Sequence, residues 1–156
     1  MRLFEILEKK ELALNTSIFN FGSMRDKQIL NIVLGRIVSE QDMEDAYMKG
    51  YNTYRVEDQG YPALIQDNVS ITEGTLVHNL TPKDLDRIQY YEAGLFGTEV
   101  LPVYTKRGDE PKYAQVYTKH SSKVKVLDEE WDFDEYQKNI KPYVKEIKEW
   151  MEGYND

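Results

Sequence analysis

Two features of the sequence could carry chemistry without help from a metal or a thiolate. The first is the run Phe19-Asn20-Phe21-Gly22-Ser23-Met24, where a charge-free apolar stretch meets a glycine and a serine ahead of an apolar-periodic segment. At such a strand-to-helix junction the leading N–H groups lack acceptors and carry partial positive charge. Gly22 would let the main chain approach a ligand, and successive N–H groups could clasp a carboxylate or phosphate. An ordinary connecting turn fits the same residues. The second feature is Glu92, which closes a helical segment begun at Thr81 and lies between Tyr90-Tyr91 and Ala93-Gly94-Leu95-Phe96. A carboxyl group among aromatic and aliphatic neighbours is desolvated, which raises its pKa above the reference of about 4.3. That suits proton transfer near neutrality. A solvated acid at a helix end is the competing reading.

Composition narrows the choices. The chain has 156 residues, enough for one domain with a real core. It contains no cysteine, which excludes disulfides, thiolate metal sites and a cysteine nucleophile. A zinc site would need both histidines, His78 and His120, together with carboxylates, so no zinc site is expected. With 20 Lys+Arg against 28 Asp+Glu the net charge is −8, which gives no electrostatic basis for binding nucleic acid or an anionic membrane. No run approaches the ~18 apolar residues of a membrane span. Charges scattered through the first eleven residues do not suit a secretion signal, so a cytoplasmic setting is expected. Glycine-rich dinucleotide and phosphate loops, a Gly-x-Ser-x-Gly elbow and a His-Glu-x-x-His helix are all absent from the sequence.

The elements that would position these residues follow from periodicity. Residues 1–16 read as an N-terminal arm or short helix, and 17–156 as a single α+β domain. A buried strand over 17–21 leads into a helix with Ser23 and Asp26 as a capping box and Gly35 as its stop. Glu40 to Asp45 reads as an exposed acidic stretch. Strands are expected over 47–56, 62–65 (with Pro62 first) and 71–78, where Gly74 marks a close backbone approach. Thr81-Pro82-Lys83-Asp84 starts a helix. Further strands fall at 98–105, 113–120 and 124–127. In the tail, Phe133, Tyr136, Ile140, Tyr143, Val144, Ile147, Trp150 and Met151 form an amphipathic stripe. The long helix they imply would lie over the sheet, bent or split by Pro142.

Taken in order, seven short motifs resemble the gamma-glutamylcyclotransferase-like family, in its branch of plant avirulence-induced and related bacterial proteins. The family's strand into Tyr-Gly-Ser/Thr-Leu stands here as Phe21-Gly22-Ser23-Met24. Its Leu-Gly-Arg helix end is Leu34-Gly35-Arg36, its Tyr-Pro-Ala is Tyr61-Pro62-Ala63, and its Gly-x-Leu strand is Gly74-Thr75-Leu76. A helix ending Leu-Asp-x-Phe/Tyr-Glu-Gly is matched by Ile88 to Ala93, an Ala-x-Val-Tyr strand by Ala114 to Tyr117, and Trp-Asp-Phe by Trp131 to Phe133. The chain departs from the pattern at Phe21 for tyrosine, Gln89 for aspartate, Ala93 for glycine and Thr98 for arginine.

The resemblance covers about residues 17–150 and implies a small mixed β-barrel with flanking helices. It also implies a reaction: release of 5-oxoproline from a γ-glutamyl amine or γ-glutamyl amino acid, with no metal, cofactor or protein nucleophile. By the same resemblance Glu92 is the general acid and base, and loop N–H groups at Gly22, Ser23 and Met24, after Phe21, hold the substrate carboxylate. Tyr61 and Tyr117 line the pocket. The partner is then a small molecule carrying a γ-glutamyl group or another small anion, with neither nucleic acid nor membrane involved. A protein partner could dock through the N-terminal arm. The alternative is a family member altered in catalysis that binds a small anionic ligand or a protein.

Overall fold

The computed structural model describes Leu3 and residues 17–154. Apart from Leu3, the arm expected over 1–16 lies outside the described residues. The charge-free run after Ser17 forms strand β1 (Ile18–Asn20), every residue of it buried. It pairs antiparallel with β3 (Pro62–Val77) and parallel with β5 (Lys112–His120). From β5 the pairing passes antiparallel to β4 (Phe96–Thr105), then to β2 (Met43–Val56), and from β2 back to β3. Five strands thus close in the order β3-β1-β5-β4-β2, and β6 (Val126–Glu130) adds beside the far half of β2. This is the mixed barrel with flanking helices that the resemblance implies.

Several boundaries differ from those expected, each for a physical reason. The two strands anticipated over 62–65 and 71–78 are one continuous strand. Its middle, Gln66 to Ser70, is largely exposed, so the apolar alternation lapses while the backbone ladder against β2 resumes beyond it. Opposite that stretch, β2 shifts register between Lys49 and Tyr51 at Gly50, whose φ of 88° is one that glycine adopts readily. Strand β2 also begins earlier than expected, at Met43. There the carboxylate of Glu44 is bound by His78 and by Lys112 at 3.1 Å. Gly74 behaves as expected: a Cβ there would sit 2.3 Å from the Asn20 carbonyl oxygen.

The first helix, α1 (Lys27–Leu34), is capped by Asp26, which accepts from the Ile29 N–H at 3.1 Å. Ser23 is not the cap; it opens a separate 3₁₀ turn over Ser23–Arg25. Helix α2 (Pro82–Glu92) has the full reciprocal capping box between Thr81 and Asp84. Buried Asp84 also receives two hydrogen bonds from Arg36, at 2.7 and 3.0 Å, which ties the start of α2 to the end of α1. The tail divides at Asn139 into α3 (Phe133–Lys138) and α4 (Ile140–Glu152). Pro142 falls in the first turn of α4, where its missing N–H is not needed.

Two cores result. Phe19, Met48, Leu76, Val103 and Val116 fill the barrel. Ile18, one residue before Phe19, points the other way into a second core with Ile29, Val33, Ile88, Ile147 and Met151. Helix α4 packs on α1 within this second core, which also takes in Ile18, Val77 and Tyr117 from the strands. Among the described residues no helix is long and apolar enough to cross a membrane.

Helix α2 ends at Glu92 with Ala93 in the left-handed region, φ 53° and ψ 26°. A Cβ in that conformation costs about 1–2 kcal/mol, which accounts for the glycine that the family pattern carries there. Ala93→Gly is expected to stabilise the protein by about 1 kcal/mol, read as a higher midpoint in urea with an unchanged m value.

Candidate active site

A cavity of about 570 Å³ opens where the loop after β1, the end of α2 and the helix α4 converge. All seven residues singled out from the sequence line it: Phe21, Gly22, Ser23, Met24, Tyr61, Glu92 and Tyr117. Position 22 has a packing reason for glycine within the chain itself. Its φ is −119°, outside the left-handed region, and a Cβ would meet Pro62 Cδ at 2.9 Å. The absent side chain makes room for the Tyr61-Pro62 segment, and this brings two of the sequence motifs together.

The loop turns tightly. Arg25 N–H donates to the Gly22 carbonyl at 3.0 Å, and Asp26 N–H to the Ser23 carbonyl at 3.1 Å. Among the described residues, the N–H groups of Gly22, Ser23 and Met24 donate to no backbone or side-chain acceptor. The Ser23 hydroxyl is buried and lies 2.6 Å from the Tyr91 hydroxyl. That bond fixes the loop to the last turn of α2, one residue from Glu92. Helix α4 is held to the same turn by a reciprocal pair. Tyr90 donates its hydroxyl to the Trp150 carbonyl at 3.0 Å, Trp150 donates its indole N–H to the Tyr90 carbonyl at 3.3 Å, and the two rings stack.

Burial sets the electrostatics. Desolvation pushes the Glu92 carboxyl up to about 8, from an ordinary value of 4.5. Among the described residues no lysine, arginine or histidine lines the cavity to oppose that shift. The phenols of Tyr91, Tyr117 and Tyr61 are all pushed above their ordinary value, first by burial and then by the Glu92 charge. They are therefore neutral hydroxyl groups around the Glu92 carboxyl. Tyr117 is nearly buried, while half-buried Tyr61 meets Phe96 edge to face with centroids 5.7 Å apart. Among the described residues no group of three or more acidic or histidine side chains is placed to hold a metal ion.

Sequence reasoning missed Asn20, Tyr91, Tyr136, Tyr143 and Glu146, which line the same cavity. Asn20 was open to detection as the one polar residue in the buried run Ile18-Phe19-Asn20-Phe21. Tyr136 and Tyr143 were absorbed into the amphipathic stripe of the tail, since a helix face that packs and one that lines a cavity have the same period. Their rings stack at 4.7 Å, across the break between α3 and α4.

A family model described as gamma-glutamyl cyclotransferase, AIG2-like, matches residues 18–137, and the chain belongs to that family. AIG2-like protein B of Arabidopsis thaliana is 23% identical over 137 residues, spanning 87% of this chain and 78% of the relative. A solution structure from Arabidopsis thaliana superposes with a TM-score of 0.60 at 19% identity, covering 87% of this chain and 90% of that one. A solved gamma-glutamyl cyclotransferase superposes with a TM-score of 0.58 at 12% identity, covering 85% and 86%. Likeness at these identities carries the fold; what the cavity does must come from its own residues.

The Ser23–Tyr91 contact is open to direct test. Tyr91→Phe removes one partner of a buried hydrogen bond and is expected to cost about 1–2 kcal/mol of unfolding free energy, measured by denaturant titration. Amide hydrogen exchange should rise in residues 22–26 before it rises in the barrel strands.

Proposed function

We propose that the chain is a cyclotransferase that releases 5-oxoproline from a γ-glutamyl amine or γ-glutamyl amino acid. One observation carries the reading: a desolvated carboxyl group with a pKa near 8 shares a cavity with loop N–H groups that have no acceptor among the described residues. Near neutrality such an acid can both accept and return a proton. The N–H groups of Gly22, Ser23 and Met24 take the substrate's α-carboxylate, which fixes the bent conformer in which its α-amine reaches its own γ-carbonyl carbon. Glu92 accepts a proton from that amine as the new C–N bond closes the five-membered ring. The bond from the same carbon to the departing nitrogen then breaks, and Glu92 returns the proton to that nitrogen. Atoms and electrons balance without a redox partner or a protein nucleophile. The neutral phenols of Tyr61 and Tyr117 offer donors to the carbonyl oxygen as it gains charge. A cytoplasmic setting goes with this reading, since a cysteine-free chain needs no oxidising compartment.

A second reading, a binder of small anions without turnover, is favoured by Phe21, which lacks the hydroxyl that the family pattern places there. The two readings part at Glu92. If the chain is an enzyme, Glu92→Gln lowers kcat for 5-oxoproline release by about 10²–10⁴-fold without unfolding the protein. If it is a binder, γ-glutamyl compounds raise the Tm of wild type and Glu92→Gln alike and no product forms.

The pH behaviour is also specified. Glu92 must be ionised to accept the proton, so kcat/KM of wild type should rise with pH to an inflection near 8. Stability should move the opposite way. The folded pKa lies above the ordinary value of 4.5, so the stabilising contribution of this group is full below 4.5 and is lost as pH rises through about 8. Glu92→Gln escapes that loss. Its Tm should therefore gain on that of wild type between pH 4.5 and 8 and hold a constant lead above.

A further inference from the structure

Among the described residues, the charges lining the cavity are all of one sign: Glu92, Glu146 and Glu149, the last two from α4. Glu146 is close enough for its charge to act on the phenols of Tyr61, Tyr91 and Tyr136. Its helical neighbours one turn away are Pro142, Tyr143, Glu149 and Trp150, so no lysine of α4 sits beside it. It forms no ion pair among the described residues. Aromatic faces flank this acidic side: Tyr143 and Trp150 come from the same helix, and Trp150 is 46% exposed.

A separate observation marks the cavity as built for a polar ligand. Asn20 lines it, is only 4% exposed, and its side-chain Nδ2 has no hydrogen-bond partner. An amide buried without a partner is costly to the fold, and such groups are rare without a functional reason. The cavity volume lies within the range of small-molecule sites, roughly 300–1,000 Å³, which allows for a γ-glutamyl group with a chain attached.

We propose that the departing amine carries a second, protonated nitrogen, so that the substrates are γ-glutamyl conjugates of diamines or polyamines, with Glu146 as the specificity residue that receives the distal ammonium. The inference rests on the cyclotransferase reading for its chemistry. The loop amides, which are neutral donors, serve the α-carboxylate. A second carboxylate, as in a γ-glutamyl amino acid, would meet Glu146 and Glu149 with no cation to offset them. An ammonium there gains the Coulombic attraction of the two acids.

The test uses three synthetic γ-glutamyl conjugates of nearly equal length, made with 1,4-diaminobutane, n-pentylamine and 5-aminopentanoate. The expected order of kcat/KM is cationic over neutral over anionic, with about a tenfold advantage of the first over the second at low salt, shrinking as salt is added. Glu146→Gln should reduce that advantage to about threefold or less and leave the neutral conjugate unaffected. Equal rates for all three overturn the inference and leave the cyclotransferase reading standing. An equal loss for all three in Glu146→Gln also overturns it, because Glu146 would then serve the shared γ-glutamyl part. Calorimetric binding to Glu92→Gln separates the two ideas: no turnover by wild type with the cationic preference kept in binding defeats the cyclotransferase reading and upholds the cationic site, whereas no preference in binding defeats the cationic site.

Discussion

A carboxyl group set among hydroxylated rings, with no cation among the described residues that line its cavity, is the constraint on which the site depends. Ionised Glu92 is disfavoured by its surroundings, and the surroundings are hydroxylated rings in place of lysine or arginine. A basic neighbour would lower the carboxyl pKa and fix it as a permanent anion. Its absence leaves a group whose two protonation states are close in energy near neutral pH. The fold tolerates that expense because Glu92 is the final residue of α2, where the helix has already been anchored at its other end by the Thr81–Asp84 capping box and by Arg36.

The barrel supplies the opposite wall. Closure of β3-β1-β5-β4-β2 fixes β1 between two partners, so the loop that leaves it has a defined starting direction. Close approach at Gly74 seats β1 against β3, and Pro62 packs where Gly22 has no side chain. The Ser23–Tyr91 bond and the Tyr90–Trp150 pair then close the remaining sides against the last turn of α2. Each contact is local, yet all of them converge on the same few residues around Glu92. Positional definition of this kind is what a reaction within one substrate molecule requires, since its barrier is governed by which conformer is held.

Much of this was legible in the sequence because the signals are short-range. Thr-Pro-Lys-Asp begins a helix through bonds within four residues, and the glycine at 74 reports a close neighbour without naming it. Glu92 was picked out by its aromatic flanks, and the structure finds it desolvated. Ser23 was misassigned as a cap because two residues with the right spacing, Ser23 and Asp26, compete for one role. The outcome turned on Tyr91, which is 68 residues away. The continuous β3 was hidden for a related reason, since periodicity reports burial, and between Gln66 and Ile71 the strand is largely exposed while its ladder to β2 breaks and then resumes. Glu146 could not be found at all from sequence. On α4 it is one acid among lysines and acids, and only the packing of that helix on α1 turns it toward the cavity.

The most direct measurement is a ¹³C NMR titration of the Glu92 side-chain carboxyl in the ligand-free protein, assigned by its loss in Glu92→Gln. A midpoint near 8 is the expected result. A midpoint near 4.5 would mean that water or a cation reaches the carboxylate, and the acid–base role given to this cavity would fail with it.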